Sequence, residues 1–186
     1  MKRLASVLAL MITFSCLAVV HAARSNQPRE KQKHHSFQLG VDVFLKEKVH
    51  LLKGKRVGLI TNPTGVDQSL NSIVDRFARN PDIHLTALFG PEHGVRGSAD
   101  AGAYVPFYTD SKTGLPVYSL YGETKKPTPE MLKDVDVLVF DIQDVGARFY
   151  TYIYTMAYAM KAAKEKGIPF IVLDRPNPIG GTKVEG

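Results

Sequence analysis

Two acidic segments of the 186-residue sequence have residue types suited to acid/base chemistry. Glu92 lies in the glycine-containing stretch 90–97, where the backbone can approach a ligand closely. A carboxyl group there can act as a general acid if burial raises its pKa, and its alternative role is a carboxylate at a helix start. Asp141 and Asp144 flank Gln143 after an apolar run, and either could supply a second carboxyl group or cap the loop. Two carboxyl groups on either side of a bond are the arrangement that hydrolyses glycosides.

Amide, imidazole and guanidinium groups accompany these carboxylates. Asn62 stands before a proline and could form a turn or contact a ligand. His93 is interpreted as hydrogen-bonding support, because no HExxH motif or clustered His/Asp spacing accompanies it. Arg96 and Arg148 could bind a substrate carboxylate through paired hydrogen bonds, or form internal salt bridges. These side chains are therefore candidates for binding a ligand beside the catalytic carboxylates.

Several other chemistries lack their motifs. The sequence has no GxGxxG turn after its first strand, no GxxxxGK[ST] loop and no GxSxG nucleophile elbow. Its single cysteine, Cys16, lies in the N-terminal apolar run, so a protein cleaved after that run has no thiol nucleophile or disulfide. Acid/base hydrolysis of a glycan is the chemistry that the remaining residues favour.

The elements that must position these residues alternate between strands and helices. Apolar runs bounded by turn residues predict strands at 56–61, 84–89, 116–120, 135–140 and 170–173, and helices at 69–80, 129–133 and 151–166. Such alternation predicts an α/β fold with a parallel sheet covered by helices on both faces. Polar residues follow each strand, and the carboxyl ends of parallel strands meet at one edge. We therefore expect one polar rim.

The helix predicted at 151–166 offers aromatic and aliphatic side chains. Tyr150, nearest its start and the preceding strand end, is the tyrosine expected to touch a ligand, because aromatic rings pack on sugar faces. Apolar residues spaced by three or four predict its buried side. They are Phe149, Ile153, Met156, Met160 and Ala163.

The N-terminal segment is typical of a secretion signal. Residues 1–22 combine a charged start, an apolar run and small residues before a cleavage site after Ala22. Lipidation at Cys16 is the minor alternative, since Thr13 replaces the aliphatic residue expected three positions earlier. Residues 23–38 form a basic linker, and residues 36–186 keep only one of the six net positive charges. We therefore predict an exported protein without a stable membrane span after cleavage, and no nucleic-acid partner.

Six ordered segments resemble the NamZ-like exo-β-N-acetylmuramidase family of peptidoglycan-recycling glycoside hydrolases. They are GVDVFL (40–45), VGLITNPTGVD (57–67), LFGPEHGVRG (88–97), PVYSLYGETKKPT (116–128), VLVFDIQDVGARFYTY (137–152) and LDRPNPIGG (173–181). The resemblance implies a Rossmann-like N-terminal domain over residues 39–186, a smaller C-terminal domain and a cleft between them. It also implies release of N-acetylmuramic acid from the non-reducing ends of peptidoglycan fragments, without a cofactor or metal.

The resemblance also implies roles for residues of the rim. Glu92 becomes the catalytic acid, and Asp141 is taken as the second catalytic carboxylate. The expected substrate-binding residues are Asn62, His93, Arg96, Gln143, Asp144, Arg148 and Tyr150. An arginine in the rim would suit the lactyl carboxylate that distinguishes muramic acid.

Family members are much longer than this sequence, so we expect the second domain to be missing and the fragment to be inactive or nearly so. Two alternatives remain open. One is a non-catalytic module that binds cell-wall sugars. The other is a hydrolase with a metal ion held by Asp141, Asp144 and His93. The sequence leaves the oligomeric state and the stereochemical outcome open.

Overall fold

The computed structural model describes residues 37–100 and 102–185. The predicted leader (1–22) with Cys16, and the predicted linker up to residue 36, lie outside the described residues. Within the described part, no helix combines the length and apolar character needed to cross a membrane.

A six-stranded sheet has the order β3-β4-β2-β1-β5-β6. Its strands are β1 (Arg56–Thr61), β2 (His84–Gly90), β3 (Tyr108–Thr109), β4 (Pro116–Ser119), β5 (Val137–Asp141) and β6 (Phe170–Val172). All neighbouring pairs are parallel except β3 and β4, which are antiparallel. The predicted parallel sheet is confirmed, and the two-residue strand β3 at its edge is an addition that the sequence did not predict.

Helices cover both faces of this sheet. Side chains alternate along each central strand, so Val57 and Leu59 enter one core while Ile60 enters the other. The first core packs under α1 (Gly40–Val43), which continues as a π-helical turn (Phe44–Lys48) and a 3-10 turn (Val49–Leu52), and under α2 (Ile73–Arg79). The second packs under α3 (Tyr152–Lys166). The predicted α/β fold with helices on both faces is therefore confirmed.

Two helix predictions need correction, and one helical segment is an addition. Helix α2 begins at Ile73 rather than residue 69, because the buried Asp67 carboxylate accepts hydrogen bonds from the backbone of Ser69 and Asn71 and holds a loop there. Residues 129–133 form turns instead of a helix, although the Thr128 hydroxyl accepts the predicted bond from the Met131 N–H. The helical segment at 40–52 was not predicted.

The buried side of α3 also differs from the prediction. Its buried residues are Tyr152, Thr155, Ala159, Ala162 and Ala163. Phe149, just before the helix, is 90% exposed, and Ile153 and Met160 are also exposed. Small side chains let a helix lie close to a sheet, and three of the five buried residues are alanines. The predicted spacing is right for Ala163 and in part for Met156, which is half-buried against the second core, and wrong for Phe149, Ile153 and Met160.

Candidate active site

The loops that follow β2, β1 and β5 leave the same edge of the sheet, because these strands are parallel neighbours. Thr61 and Asp141, the last residues of β1 and β5, are register partners, and the Thr61 hydroxyl donates to the Asp141 carbonyl at 2.8 Å. Gly65 lies against this pair, since a Cβ there would stand 2.1 Å from the Thr61 Oγ1. The predicted polar rim thus rests on a tightly packed base.

Asp141 is buried in this base and bound by an arginine. The Arg175 Nε and Nη2 donate to its two carboxylate oxygens at 2.6 and 2.8 Å, and Nη2 also donates to the Val66 carbonyl. Asp141 is 0% exposed. Burial raises the pKa of the Asp141 carboxyl, and the Arg175 guanidinium opposes that shift. The role of second catalytic carboxylate does not fit this geometry, because neither oxygen is free to meet a substrate or water.

Asn62 and Gln143 take part in hydrogen bonds that connect the loops after β1, β5 and β6. The buried Asn62 Oδ1 accepts hydrogen bonds from the Thr64 N–H and hydroxyl at 3.0 and 2.6 Å. The Thr64 hydroxyl in turn accepts from the Gln143 N–H, and the Gln143 amide donates to the carbonyls of Asp144 and Pro176. These predicted binding residues are brought together, and their observed bonds fix the loops.

Arg96 is held by two internal carboxylates. It donates from Nε and Nη2 to Asp110 at 2.8 and 2.9 Å, and its Nη1 lies 2.8 Å from Asp75. The Arg96 guanidinium lowers the pKa of the buried Asp110 to about 2. Of the two roles open for Arg96, the structure contains the internal salt bridge. This pair ties the loop that carries Glu92 to α2 and to the β3–β4 hairpin.

His93 adopts a backbone conformation uncommon for its residue type, with φ at 70°. Its ring Nδ1 lies 3.1 Å from the Ala99 carbonyl, as expected for a supporting role within the loop. Over residues 37–100 and 102–185, no three His, Cys, Asp or Glu side chains are grouped closely enough to hold a metal ion. Asp141, Asp144 and His93 are therefore not brought together as a set of metal ligands in the described structure.

The remaining predicted residues follow β5. Asp144 lines a cavity of about 190 Å³ with Tyr152 and Arg175, and its Oδ1 is shielded from solvent without a hydrogen-bond partner in the described structure. Arg148 is exposed. The half-buried Tyr150 packs edge-on against Tyr152, with ring centres 4.9 Å apart. Asp144 and Tyr150 thus border the centre of the rim, and Arg148 lies at its surface.

Glu92 lies in a separate cleft of about 300 Å³ between the loops after β2 and β4 and the start of α3. The cleft is lined by Glu92, Tyr121, Lys125, Phe149, Tyr154 and Tyr158, among others. The Glu92 Oε1 accepts a hydrogen bond from the Gly102 N–H at 2.9 Å, and the side chain is partly exposed. A carboxyl group open to solvent and surrounded by aromatic rings can transfer a proton to a bound sugar.

Tyrosines join the Glu92 cleft to the rim. The charge of Glu92 raises the pKa of the Tyr121 phenol. Burial raises the pKa of the Tyr152 phenol, a hydrogen bond with Asn62 opposes this, and the charge of Glu92 adds to the rise. Tyr152 thus lies within electrostatic reach of Glu92 and beside Asn62. Phe149 and Thr151, at the end of the segment between β5 and α3, line the Glu92 cleft, whereas residues 141–148 are not among its lining residues.

Sequence reasoning missed most of the cleft's aromatic wall. Tyr121, Lys125 and Phe149 were not predicted as site residues, and Tyr150 was preferred over the later tyrosines of the helix. One signal was available for Tyr154 and Tyr158. They are four residues apart, which places both on one side of α3.

Comparison with known proteins gives consistent matches. Residues 57–186 match the family model described as exo-β-N-acetylmuramidase NamZ, N-terminal. The chain is 69% identical over 161 residues to the peptidoglycan β-N-acetylmuramidase NamZ of Bacillus subtilis (strain 168), which covers 87% of this chain and 38% of that relative. The chain therefore spans well under half the length of the curated relative it matches.

Two crystal structures of DUF1343 family proteins from Bacteroides fragilis NCTC 9343 have the same fold. The first is 60% identical to this chain with a TM-score of 0.74, and the match covers 80% of this chain and 37% of the Bacteroides fragilis chain. The second is 37% identical to this chain with a TM-score of 0.62, and the match covers 76% of this chain and 35% of the other chain.

Proposed function

The chain belongs to the exo-β-N-acetylmuramidase NamZ N-terminal family, and we propose that it carries the catalytic acid of an exported glycoside hydrolase. The proposed reaction is release of N-acetylmuramic acid from the non-reducing ends of peptidoglycan fragments. The name of the Bacillus subtilis relative supports the substrate class, since that protein is a peptidoglycan β-N-acetylmuramidase.

The position of Glu92 is the observation that supports this proposal most strongly. Of the cleft-lining residues in the described part of the chain, Glu92 alone has a carboxyl group. Phe149, Tyr154 and Tyr158 beside it are 90%, 54% and 42% exposed. Large aromatic side chains exposed together mark a binding surface, and their flat apolar faces suit the faces of a pyranose ring.

The proposed chemistry assigns one step to Glu92. Its carboxyl group donates a proton to the glycosidic oxygen while the bond from that oxygen to the anomeric carbon breaks. A water molecule supplies the hydroxyl group that completes the anomeric carbon, and the proton lost by that water restores the Glu92 acid. The Tyr121 phenol, which lines the cleft with Glu92, can donate a hydrogen bond to the bound sugar.

A chimera provides the test of this proposal. This chain replaces the matched region of the Bacillus subtilis relative, and release of N-acetylmuramic acid from a defined disaccharide is followed by chromatography. We expect turnover by the chimera and loss of at least a hundredfold in kcat for Glu92→Gln, with little change in sugar binding. Glu130→Gln is the matched control, because Glu130 is exposed and outside the cleft. Full turnover by Glu92→Gln would refute the assignment.

A non-catalytic sugar-binding module is the second candidate function. Two observations favour it: Arg175 binds both carboxylate oxygens of Asp141, and Glu92 is the single carboxyl group among the described residues that line the cleft. We expect the 186-residue chain alone to bind N-acetylmuramic acid while releasing little or none from the disaccharide. Binding by the isolated chain together with an inactive chimera would support the module and contradict the hydrolase.

Export is also part of the proposal. The charged start, apolar run and small residues of positions 1–22 support it. Expression of the whole chain in a bacterium, followed by N-terminal sequencing of exported protein, should give a product beginning at Ala23. Recovery of uncleaved chain in the cytoplasm would contradict export by this leader.

A further inference from the structure

The cleft beside Glu92 contains one cationic side chain among its lining residues in the described structure. This is Lys125, which is exposed in the loop after β4. Among residues 37–100 and 102–185 it forms no ion pair, whereas its neighbour Lys126 is paired with Glu165 at 2.7 Å. Lys125 therefore faces the cleft with its charge available to a ligand.

The arginines near the rim are either already paired within the protein or lie outside the Glu92 cleft. The Arg96 guanidinium is used by Asp75 and Asp110, and the Arg175 guanidinium by Asp141 and the Val66 carbonyl. Arg148 is exposed but does not line the Glu92 cleft. An anionic group bound in this cleft would therefore meet Lys125, and the repulsion from Glu92 would need a cation to offset it.

We propose that Lys125 is a specificity-determining residue of this cleft, and that its ammonium group binds a carboxylate substituent of the sugar held beside Glu92. The inference rests on the proposed function, because the carboxylate it assigns to Lys125 is the lactyl group of N-acetylmuramic acid. It replaces the expectation that an arginine of the rim performs this task. A lysine is a flexible, strongly hydrated point charge, which suits recognition of a carboxylate near solvent.

The arrangement divides recognition between two kinds of side chain. The aromatic rings of Phe149, Tyr154 and Tyr158 present apolar faces that N-acetylmuramic acid and N-acetylglucosamine would contact alike. Lys125 adds attraction only for the sugar that has a carboxylate. Because the ammonium group is exposed, this attraction weakens as salt screens it.

Calorimetry on the 186-residue chain tests the proposal with two probes, N-acetylmuramic acid and N-acetylglucosamine. We expect the unmodified chain to bind the first about two- to fivefold more tightly at low salt, as for an exposed ion pair. Lys125→Gln should abolish this preference through weaker binding of N-acetylmuramic acid alone, while Lys125→Arg should retain most of it. Lys126→Gln is the matched control and should keep the full preference, since that lysine is paired with Glu165.

Three results would overturn the proposal: a preference that survives in Lys125→Gln, an equal loss of both sugars in that variant, or no binding of either sugar by the unmodified chain. The outcome is separable from that of the proposed reaction. An active chimera whose sugar preference ignores Lys125 would refute only the recognition role. A preference that depends on Lys125 in a chain whose chimera is inactive would refute only the hydrolysis.

Discussion

Replacement of Arg96 by methionine tests whether this predicted binding residue instead stabilises the loop that carries Glu92. Methionine keeps much of the side-chain volume and removes the charge. Asp110 is 2% exposed. In the variant, the donors that remain for its carboxylate among the described residues are the Thr113 N–H and the Thr113 hydroxyl. A buried carboxylate without its cation is costly, so we expect a large loss of unfolding free energy at neutral pH.

The size of that loss follows from the ion pair. Arg96, together with hydrogen bonds from Thr113, lowers the pKa of Asp110 from 3.8 to about 2, which corresponds to about 2 kcal/mol of stability, and Arg96 supplies the largest share. The second contact, to the partly exposed Asp75, adds a smaller amount because solvent screens it. We expect Arg96→Met to lower the free energy of unfolding by about 2 to 4 kcal/mol near pH 7.

The pH dependence carries a definite sign. Asp110 has a lowered pKa in the folded protein, so its stabilisation is fully present above about pH 4 and is lost as the pH falls towards about 2. The difference in stability between the unmodified chain and Arg96→Met should therefore be largest near pH 7 and should shrink as the pH falls towards about 2. Urea denaturation followed by circular dichroism, repeated across this range, measures the difference.

Arg56 provides a matched control for this experiment. It also bonds two aspartates, Asp134 and Asp136, with three side-chain contacts of 2.9 to 3.0 Å. Its side chain is 39% exposed, compared with 21% for Arg96. We expect Arg56→Met to cost clearly less. Equal costs for the two variants, or a cost for Arg96→Met that does not change below about pH 4, would refute the reasoning.

Two further outcomes are expected. Asp141→Asn should lower the free energy of unfolding by about 3 to 5 kcal/mol, because it leaves the Arg175 guanidinium buried without a counter-charge. The double variant with Arg175→Met should recover part of this loss, and urea denaturation measures both. Phe149→Ala should leave the thermal midpoint nearly unchanged, since the ring is 90% exposed, but should weaken binding of both N-acetylmuramic acid and N-acetylglucosamine in calorimetry; unchanged binding would exclude this ring from the sugar site.

The strands could be read from the sequence because each requirement was local. Strand β1 has the predicted bounds 56–61, since its apolar run is buried on both faces and is followed by the turn at Asn62. The end of α3 was equally local, because Gly167 adopts the left-handed conformation that terminates helices, with φ at 75°. The two-residue strand β3 is too short to give any periodic signal.

Other features depended on side-chain contacts that helix and strand periodicity does not reveal. The start of α2 was misplaced because the buried Asp67 carboxylate holds the preceding residues in a loop, which helix periodicity does not reveal. The pairing of Asp141 with Arg175 spans 34 residues and that of Arg96 with Asp110 spans 14. The sequence showed that these charges would gather at one edge. It did not show which of them would neutralise one another.

Burial is what separates the supporting charges from the charges available to a substrate. A carboxylate or guanidinium removed from water must be paired inside the protein, as Asp141 and Arg175 are, because desolvation without a partner costs several kcal/mol. Once paired, such a group offers little to a ligand. A group that is to meet a substrate must keep its contact with water until the substrate replaces that water, and Glu92 and Lys125 meet this condition in the same cleft. The sequence-predicted rim is therefore better divided into a buried frame, which fixes the loops, and an exposed cleft, where binding and proton transfer are proposed to occur.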